Sequence, residues 1–142
     1  MLKWFKGFFV ALVVAVLSTS TAFTSEKLDQ ESLVRTEMAV LHNALKTTID
    51  ALVLNDPGKI HPAFDEVHSI SERLDLEIRN GGKIALPKNQ KRFKEFVRLD
   101  HKFHHDLEAL LTAANKNNAS AVLRQTHRLL DACVRCHTIF RN

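Results

Sequence analysis

Apolar residues recur at helical spacing in four segments of the chain, which run from about residue 28 to 54, 59 to 80, 88 to 114 and 119 to 140. Within each segment they lie three, four or seven positions apart, and this spacing places them on one face of an α-helix. The side chains expected to face inward are Val34, Met38, Leu41, Leu45, Leu52, Phe64, Val67, Leu74, Ile78, Phe93, Phe96, Phe103, Leu107, Leu110, Val122, Leu123, Leu130, Cys133, His137 and Phe140.

Turn-forming residues separate the four segments at positions 55–58 (Asn-Asp-Pro-Gly), 80–82 (Asn-Gly-Gly) and 115–118 (Asn-Lys-Asn-Asn). Asn118 or Ser120 is available to cap the last helix. Four amphipathic helices with short connections bury their apolar faces best as an antiparallel bundle. The sequence therefore predicts an all-α, antiparallel four-helix bundle in which the end of the fourth helix lies beside the start of the first.

Residues 1–22 have the layout of a secretory signal peptide. Lys3 and Lys6 precede an apolar run at residues 8–17, and small residues end the segment at Ala22. We expect cleavage after Ala22, which leaves one domain of residues 23–142 in the periplasm. The alternative is an uncleaved anchor, but the apolar run is shorter than the roughly 20 residues of a spanning helix. We therefore expect no stable membrane insertion after cleavage.

The charge of the chain does not indicate a nucleic-acid partner. The formal net charge of +4 at pH 7 includes Lys3 and Lys6, so the mature chain carries only about half of it.

The chemistry of the chain is concentrated in residues 133–137, which read Cys-Val-Arg-Cys-His and contain both cysteines of the chain. This spacing is the attachment signature of a c-type haem. Two thiols three positions apart can each form a thioether to one haem vinyl group, and His137 then offers its imidazole as an axial iron ligand. The motif predicts one covalent haem c, held by Cys133, Cys136 and His137.

Three other interpretations of the cysteine pair fit the sequence less well. A thioredoxin-like redox pair needs a preceding strand and a helix N-terminus that lowers the thiol pKa. A zinc site needs four ligands, and the sequence has no second cysteine pair. A structural disulfide between Cys133 and Cys136 would close a very small loop and stabilise little.

The export signal, the four helices and the C-terminal segment of residues 133–141 resemble the class II c-type cytochromes, the cytochrome c-prime group. In that family the haem motif also lies in the last helix and is commonly followed by an aromatic and a basic residue, here Phe140 and Arg141. The resemblance implies a periplasmic monohaem protein that is often a homodimer through its first two helices.

The second axial ligand decides between two functions in that family. Low-spin electron carriers use a methionine of the first helix, whereas gas-binding members have an apolar residue there. Met38 is the only methionine after Met1, and it is the expected ligand. His42, one helical turn further on, is the alternative ligand. If neither binds the iron, the haem is five-coordinate.

Other residues are expected to surround the haem. Phe93 and Phe96 would form part of its wall, and Arg35 would reach a propionate, as a basic residue near this place does in the family. The glutamine that usually follows is Thr36 here. Lys91 and Arg92 are alternative propionate partners.

The histidine-rich segment of residues 101–105 looks superficially like a metal site. We expect it to be a solvated helix face, with Asp100 and His104 forming a local hydrogen bond.

These observations predict an electron carrier that exchanges single electrons with redox partner proteins. No nucleophile–base constellation is visible in the sequence, so we do not expect an enzyme, and a distal acid–base pair for peroxidase chemistry is not evident. The alternative function is a five-coordinate haem protein that binds nitric oxide or carbon monoxide.

Overall fold

The structure is a computed structural model that describes residues 21–82 and 84–141, with only the backbone for residues 21–32. Over these residues it contains helices and no strand. The α-helices are α1 Thr21–Val53, α2 Ile60–Ala63, α3 Asp65–Arg79, α4 Phe93–Asn115 and α5 Ala119–Phe140, and 3₁₀ turns cover Pro57–Lys59 and Gln90–Arg92. The prediction of an all-α bundle is confirmed, with α2 and α3 together forming its second helix.

The bounds of α5 agree with the prediction because its start is fixed by a local cap. The side chain of Asn118 accepts a hydrogen bond from the backbone N–H of Ala121 at 3.0 Å. Asn117 before it adopts a left-handed conformation with φ of 51°, which asparagine tolerates better than most residues. The turn signal at 115–118 thus ends one helix and caps the next.

The second helix is broken at Phe64, which the sequence did not predict. The backbone N–H of Phe64 donates to the carbonyl of His61 at 3.0 Å, a bond that reaches back three residues instead of four. Pro62 lies within the short α2 and has no N–H to donate. Phe64 itself is fully buried, so the break turns this side chain into the core.

The helices pack in an antiparallel ring. α4 packs most extensively on α5, α1 packs on α3 and also contacts α5, and α2 contacts α4. α1 and α4 are therefore diagonally opposite each other across the bundle. This arrangement brings the first part of α1, the first part of α4 and the last part of α5 to one end.

The buried apolar residues form two clusters. The main core lies toward the end of the bundle that contains α2, and its buried members are Leu41, Ala44, Leu45, Ala51, Ile60, Phe64, Val67, Phe103, Leu107, Leu110, Leu111, Ala113, Ala114, Val122 and Leu129. A smaller core of Leu33, Ile70, Leu74 and Ile84 lies toward the other end. Most of the predicted inward positions belong to one of these clusters or pack against it.

Two predicted inward positions on α5 are wrong. Leu123 and Leu130 are 47% and 39% exposed, whereas Thr126 and Leu129 are buried. The buried face of α5 advances from Val122 by steps of four and three residues, so Leu123 and Leu130 lie beside that face rather than on it. The apolar pattern alone did not separate these two neighbouring strips.

The predicted signal peptide, residues 1–22, lies outside the described residues except for its last two positions. Its cleavage and the periplasmic location stay predictions. Among the described helices, none combines the length and the apolar run that a membrane crossing requires.

Candidate functional site

Residues 133–137 form part of the last turns of α5. Cys133, Cys136 and His137 are half-buried, while Val134 and Arg135 between them are exposed. Cys133 packs against the main core. The helix therefore turns the three residues that the haem motif needs toward the interior and leaves the two variable positions of the motif toward solvent.

Both thiols are free and have pKa values above the usual range for cysteine. Burial is the main cause for both, and it raises the pKa of Cys136 to about 11 together with the nearby charge of Asp100. The pair also lies at the carbonyl end of a helix, where a negative charge is disfavoured. Thiol–disulfide catalysis needs an easily formed thiolate, so this environment argues against a redox dithiol.

His137 is held as a neutral imidazole. Burial and the positive charge of Arg141 both lower its pKa below the usual histidine value. Its carbonyl accepts the backbone N–H of Arg141 at 2.9 Å, which closes the last turn of α5. A neutral imidazole nitrogen is the form that binds haem iron.

The two candidates for the second axial ligand have different environments. Met38 is half-buried and packs against the main core, the same cluster that Cys133 contacts. His42 is exposed on α1. The structure thus brings Met38, but not His42, to the interior that the cysteine face of α5 borders.

The predicted aromatic wall lies at the end of α5. The rings of Phe93 and Phe96 are stacked with centroids 6.0 Å apart, and Phe96 meets the ring edge of Phe140 at 5.6 Å. The Asn89 side chain donates a 2.6 Å hydrogen bond to the carbonyl of Ile139, which ties the loop before α4 to this end.

The candidate propionate partners lie at the surface. Arg35 is exposed on α1, and both Lys91 and Arg92 are exposed at the start of the third bundle helix. Arg92 binds Glu95 through two hydrogen bonds of 2.6 and 2.9 Å.

A buried polar cluster next to this region was missed by the sequence analysis. Glu37, which precedes Met38, is fully buried on α1. Its Oε1 lies 3.3 Å from Nε2 of His104 on α4, and the same nitrogen lies 3.1 Å from the hydroxyl of Ser71 and 3.7 Å from Oδ1 of Asp100.

The expectation of a solvated helix face at residues 101–105 is therefore wrong for His104, although His101, Lys102 and His105 are exposed. Asp100 and His104 face each other as predicted, but at 3.7 Å they are too far apart for a hydrogen bond. The nearer partners of His104 come from other helices, and sequence spacing cannot show these contacts.

One sequence signal could have revealed the cluster. Leu33, Glu37 and Leu41 are successive buried positions on α1, each four residues after the last. An acidic residue within an apolar stripe must be buried together with a partner, because an isolated buried charge is costly.

The residues of α5 fit a covalently attached haem c. Two protonated thiols three positions apart share a half-buried face with a neutral imidazole, and these are the donors that the attachment and the proximal bond require. A groove of about 240 Å³ between α4 and α5 is lined by Lys102, Asp106, Arg128 and Arg135, among others. Its charged lining does not suit the apolar ring.

No family model, curated protein or solved structure matches this chain. The family resemblance therefore rests on the predicted export signal, the helix order and residues 133–141.

Proposed function

We propose that this protein is a monohaem c-type cytochrome of the class II kind that carries single electrons. The observation that supports this most strongly is the shared half-buried face of Cys133, Cys136 and His137 at the end of α5. The raised pKa values of both thiols and the lowered pKa of His137 suit attachment and ligation rather than thiol redox chemistry.

Each residue of the motif has a distinct role in this proposal. Cys133 and Cys136 fix the ring to α5, and His137 holds the iron from one side. When bound, haem c supplies the reversible one-electron ferric–ferrous couple. Phe96 and Phe140 are buried in edge-to-face contact and would shield a bound ring from water at this end of the bundle.

Met38 is proposed as the second axial ligand. Its support is that it borders the same core as Cys133, whereas His42 is exposed to solvent. The buried carboxylates Glu37 and Asp100 disfavour anionic propionates on their side of the interior. The propionates would therefore lie toward the surface, where Arg35 and Lys91 are exposed.

The variant Met38→Ala tests the ligand assignment. We expect it to convert a low-spin haem into a high-spin or water-ligated haem and to lower the reduction potential, because methionine sulfur favours ferrous iron. The measurement is the optical and EPR spectrum of both oxidation states. His42→Ala is the matched control and should leave the spectrum unchanged. A low-spin state that survives Met38→Ala but not His42→Ala would contradict the assignment.

The second candidate function is binding of nitric oxide or carbon monoxide at a five-coordinate haem. The observation that favours it is that Met38 already packs against the main core, so packing alone accounts for its position. Titration of the ferrous wild-type protein with carbon monoxide separates the two functions. Rapid stoichiometric binding supports the gas-binding function, and the electron carrier should bind little.

The exchange of electrons with partner proteins and the homodimer implied by the family resemblance stay predictions. The family resemblance implies a homodimer contact that includes the first helix. The apolar side chains of Ile49, Val53 and Leu54 are exposed near the end of this helix.

A further inference from the structure

The buried polar cluster between α1 and α4 neither attaches the proposed haem nor ligates its iron. We propose that Glu37, Asp100 and His104 bind a divalent transition-metal ion at a site separate from the haem iron. The three side chains each offer one ligand atom, and these atoms lie within 4.8 Å of one another.

The distances suit a single metal ion. In a tetrahedral site with metal–ligand bonds of about 2.0–2.1 Å, neighbouring ligand atoms are about 3.3 Å apart. Nε2 of His104 lies 3.3 Å from Oε1 of Glu37 and 3.7 Å from Oδ1 of Asp100. The Ser71 hydroxyl, 3.1 Å from the same nitrogen, completes the polar lining.

His104 cannot donate a hydrogen bond to every oxygen atom that lies around its Nε2 atom. Nε2 can carry one hydrogen at most, yet oxygen atoms of three side chains surround it. A metal ion bound to the lone pair of this nitrogen would be shared by both carboxylates. Ligation therefore accounts for the convergence better than one hydrogen bond does.

A second observation points to a missing partner. Oε2 of Glu37 is buried and has no hydrogen-bond partner, although the side chain is completely enclosed. A buried carboxylate oxygen without a partner costs free energy. A cation held by both carboxylate oxygens of Glu37 would remove that cost.

The charges of the cluster also favour a cation. Burial and the negative charge of Glu37 raise the pKa of Asp100 to about 6. Burial lowers the pKa of His104, but the hydrogen bond with Glu37 and the charge of Asp100 outweigh it, so the pKa is raised. Burial is the larger cause for Asp100, and both shifts include a contribution from neighbouring carboxylates. A divalent ion with a neutral His104 would balance the two carboxylates.

A more exposed set of polar side chains adjoins the site. Asp75, Asp100 and His101 form a second set of converging ligand atoms that shares Asp100 with the buried set. Nε2 of His101 lies 3.3 Å from Oδ1 of Asp75, and both side chains are more exposed than His104. An ion can therefore reach Asp100 through polar groups without crossing the apolar core.

The site does not depend on the proposed haem. Glu37 and Met38 are consecutive helical residues, so their side chains leave α1 about 100° apart. One imidazole and two carboxylates suit Zn²⁺, Fe²⁺ or Mn²⁺ among the divalent ions. Zn²⁺ is the convenient probe because it has no redox chemistry.

The test is titration of the purified, metal-stripped protein with zinc chloride by calorimetry, with zinc counted by elemental analysis after dialysis. We expect one tight site that loses at least about tenfold in affinity in Glu37→Gln and in His104→Ala. His105→Ala, which changes an exposed neighbouring histidine, is the matched control and should retain the site.

The outcome does not rely on one variant. Glu37→Gln preserves the size of the side chain, and far-UV circular dichroism shows whether this variant is folded. If His104→Ala is unfolded, the zinc affinity of Glu37→Gln tests the proposal alone. Equal zinc binding in wild type, Glu37→Gln and a folded His104→Ala would overturn the proposal, as would no tight binding in wild type. The absorbance of the same samples reports haem content, so failure here is distinguishable from failure of the haem proposal.

Discussion

The half of the bundle that contains the main core and the half that contains residues 133–137 bury different kinds of side chain. In the first half, Phe64, Leu107 and Leu129 are fully excluded from solvent. In the second half the smaller core is also apolar, but Cys133 and His137 are only half-buried, and the fully buried Glu37 is ionisable. α5 passes through both halves, so one helix experiences both environments.

The two halves differ in what their buried side chains contribute: one contributes mainly stability, and the other holds the groups with chemical reactivity. Apolar burial contributes stability in proportion to area and needs no partner, whereas buried thiols, imidazole and carboxylates are costly until they are bonded or ligated. The half with residues 133–137 can hold such groups because the main core supplies the stability of the fold.

The largest effect is expected in the main core. Leu129→Ala removes a fully buried side chain and should lower the free energy of unfolding by about 2–5 kcal/mol. Leu130→Ala, the adjacent residue on the outer side of α5, should cost under about 1 kcal/mol. Urea denaturation followed by circular dichroism measures both. Equal losses of unfolding free energy in the two variants would mean that Leu129 is not buried as the structure describes.

A smaller effect concerns the thiol of Cys136 in folded, haem-free Cys133→Ser protein. Its pKa of about 11, compared with 9.0 for an unperturbed thiol, leaves about 100-fold less thiolate at pH 8. A thiolate of higher pKa is intrinsically more nucleophilic, which offsets part of this loss, so alkylation by iodoacetamide should be about 10- to 100-fold slower than in the urea-unfolded chain. The difference should shrink as the pH rises toward 11. Equal rates at pH 8 would show that the thiol is not buried.

The smallest effect is expected along α5 itself. In the haem-free protein, amide hydrogens of residues 122–129 should exchange at least about tenfold more slowly than those of residues 133–137, because the first segment lies on the main core. Hydrogen exchange monitored by NMR measures the two segments in one experiment. Equal protection from hydrogen exchange along α5 would contradict the difference in burial between the two halves.

The sequence predicted the fold well where local signals agree. The cap at Asn118 and the apolar spacing of α5 gave its bounds correctly, and the three turn signals separated the bundle helices. The break at Phe64 was missed because the apolar spacing continues across it, and Leu123 and Leu130 were placed inward because adjacent strips of one helix share the same period.

The candidate site was only partly predictable for a different reason. Cys133, Cys136 and His137 are neighbours in sequence, so their spacing alone carries the chemistry. Glu37 and His104 come from diagonally opposite helices, and their contact depends on how each helix is rotated in the bundle. Sequence spacing contains no direct record of that rotation.

Covalent attachment of haem is the central claim, and intact mass under denaturing conditions tests it most directly. The protein is expressed with residues 1–22 in a host that attaches haem outside the cytoplasm. The purified wild-type chain should be heavier than its polypeptide by one haem, and the double variant Cys133→Ala/Cys136→Ala should have the mass of the polypeptide alone. Val134→Ala, at the exposed variable position, should keep the haem. A bare wild-type mass, or haem retained by the double variant, would contradict the account.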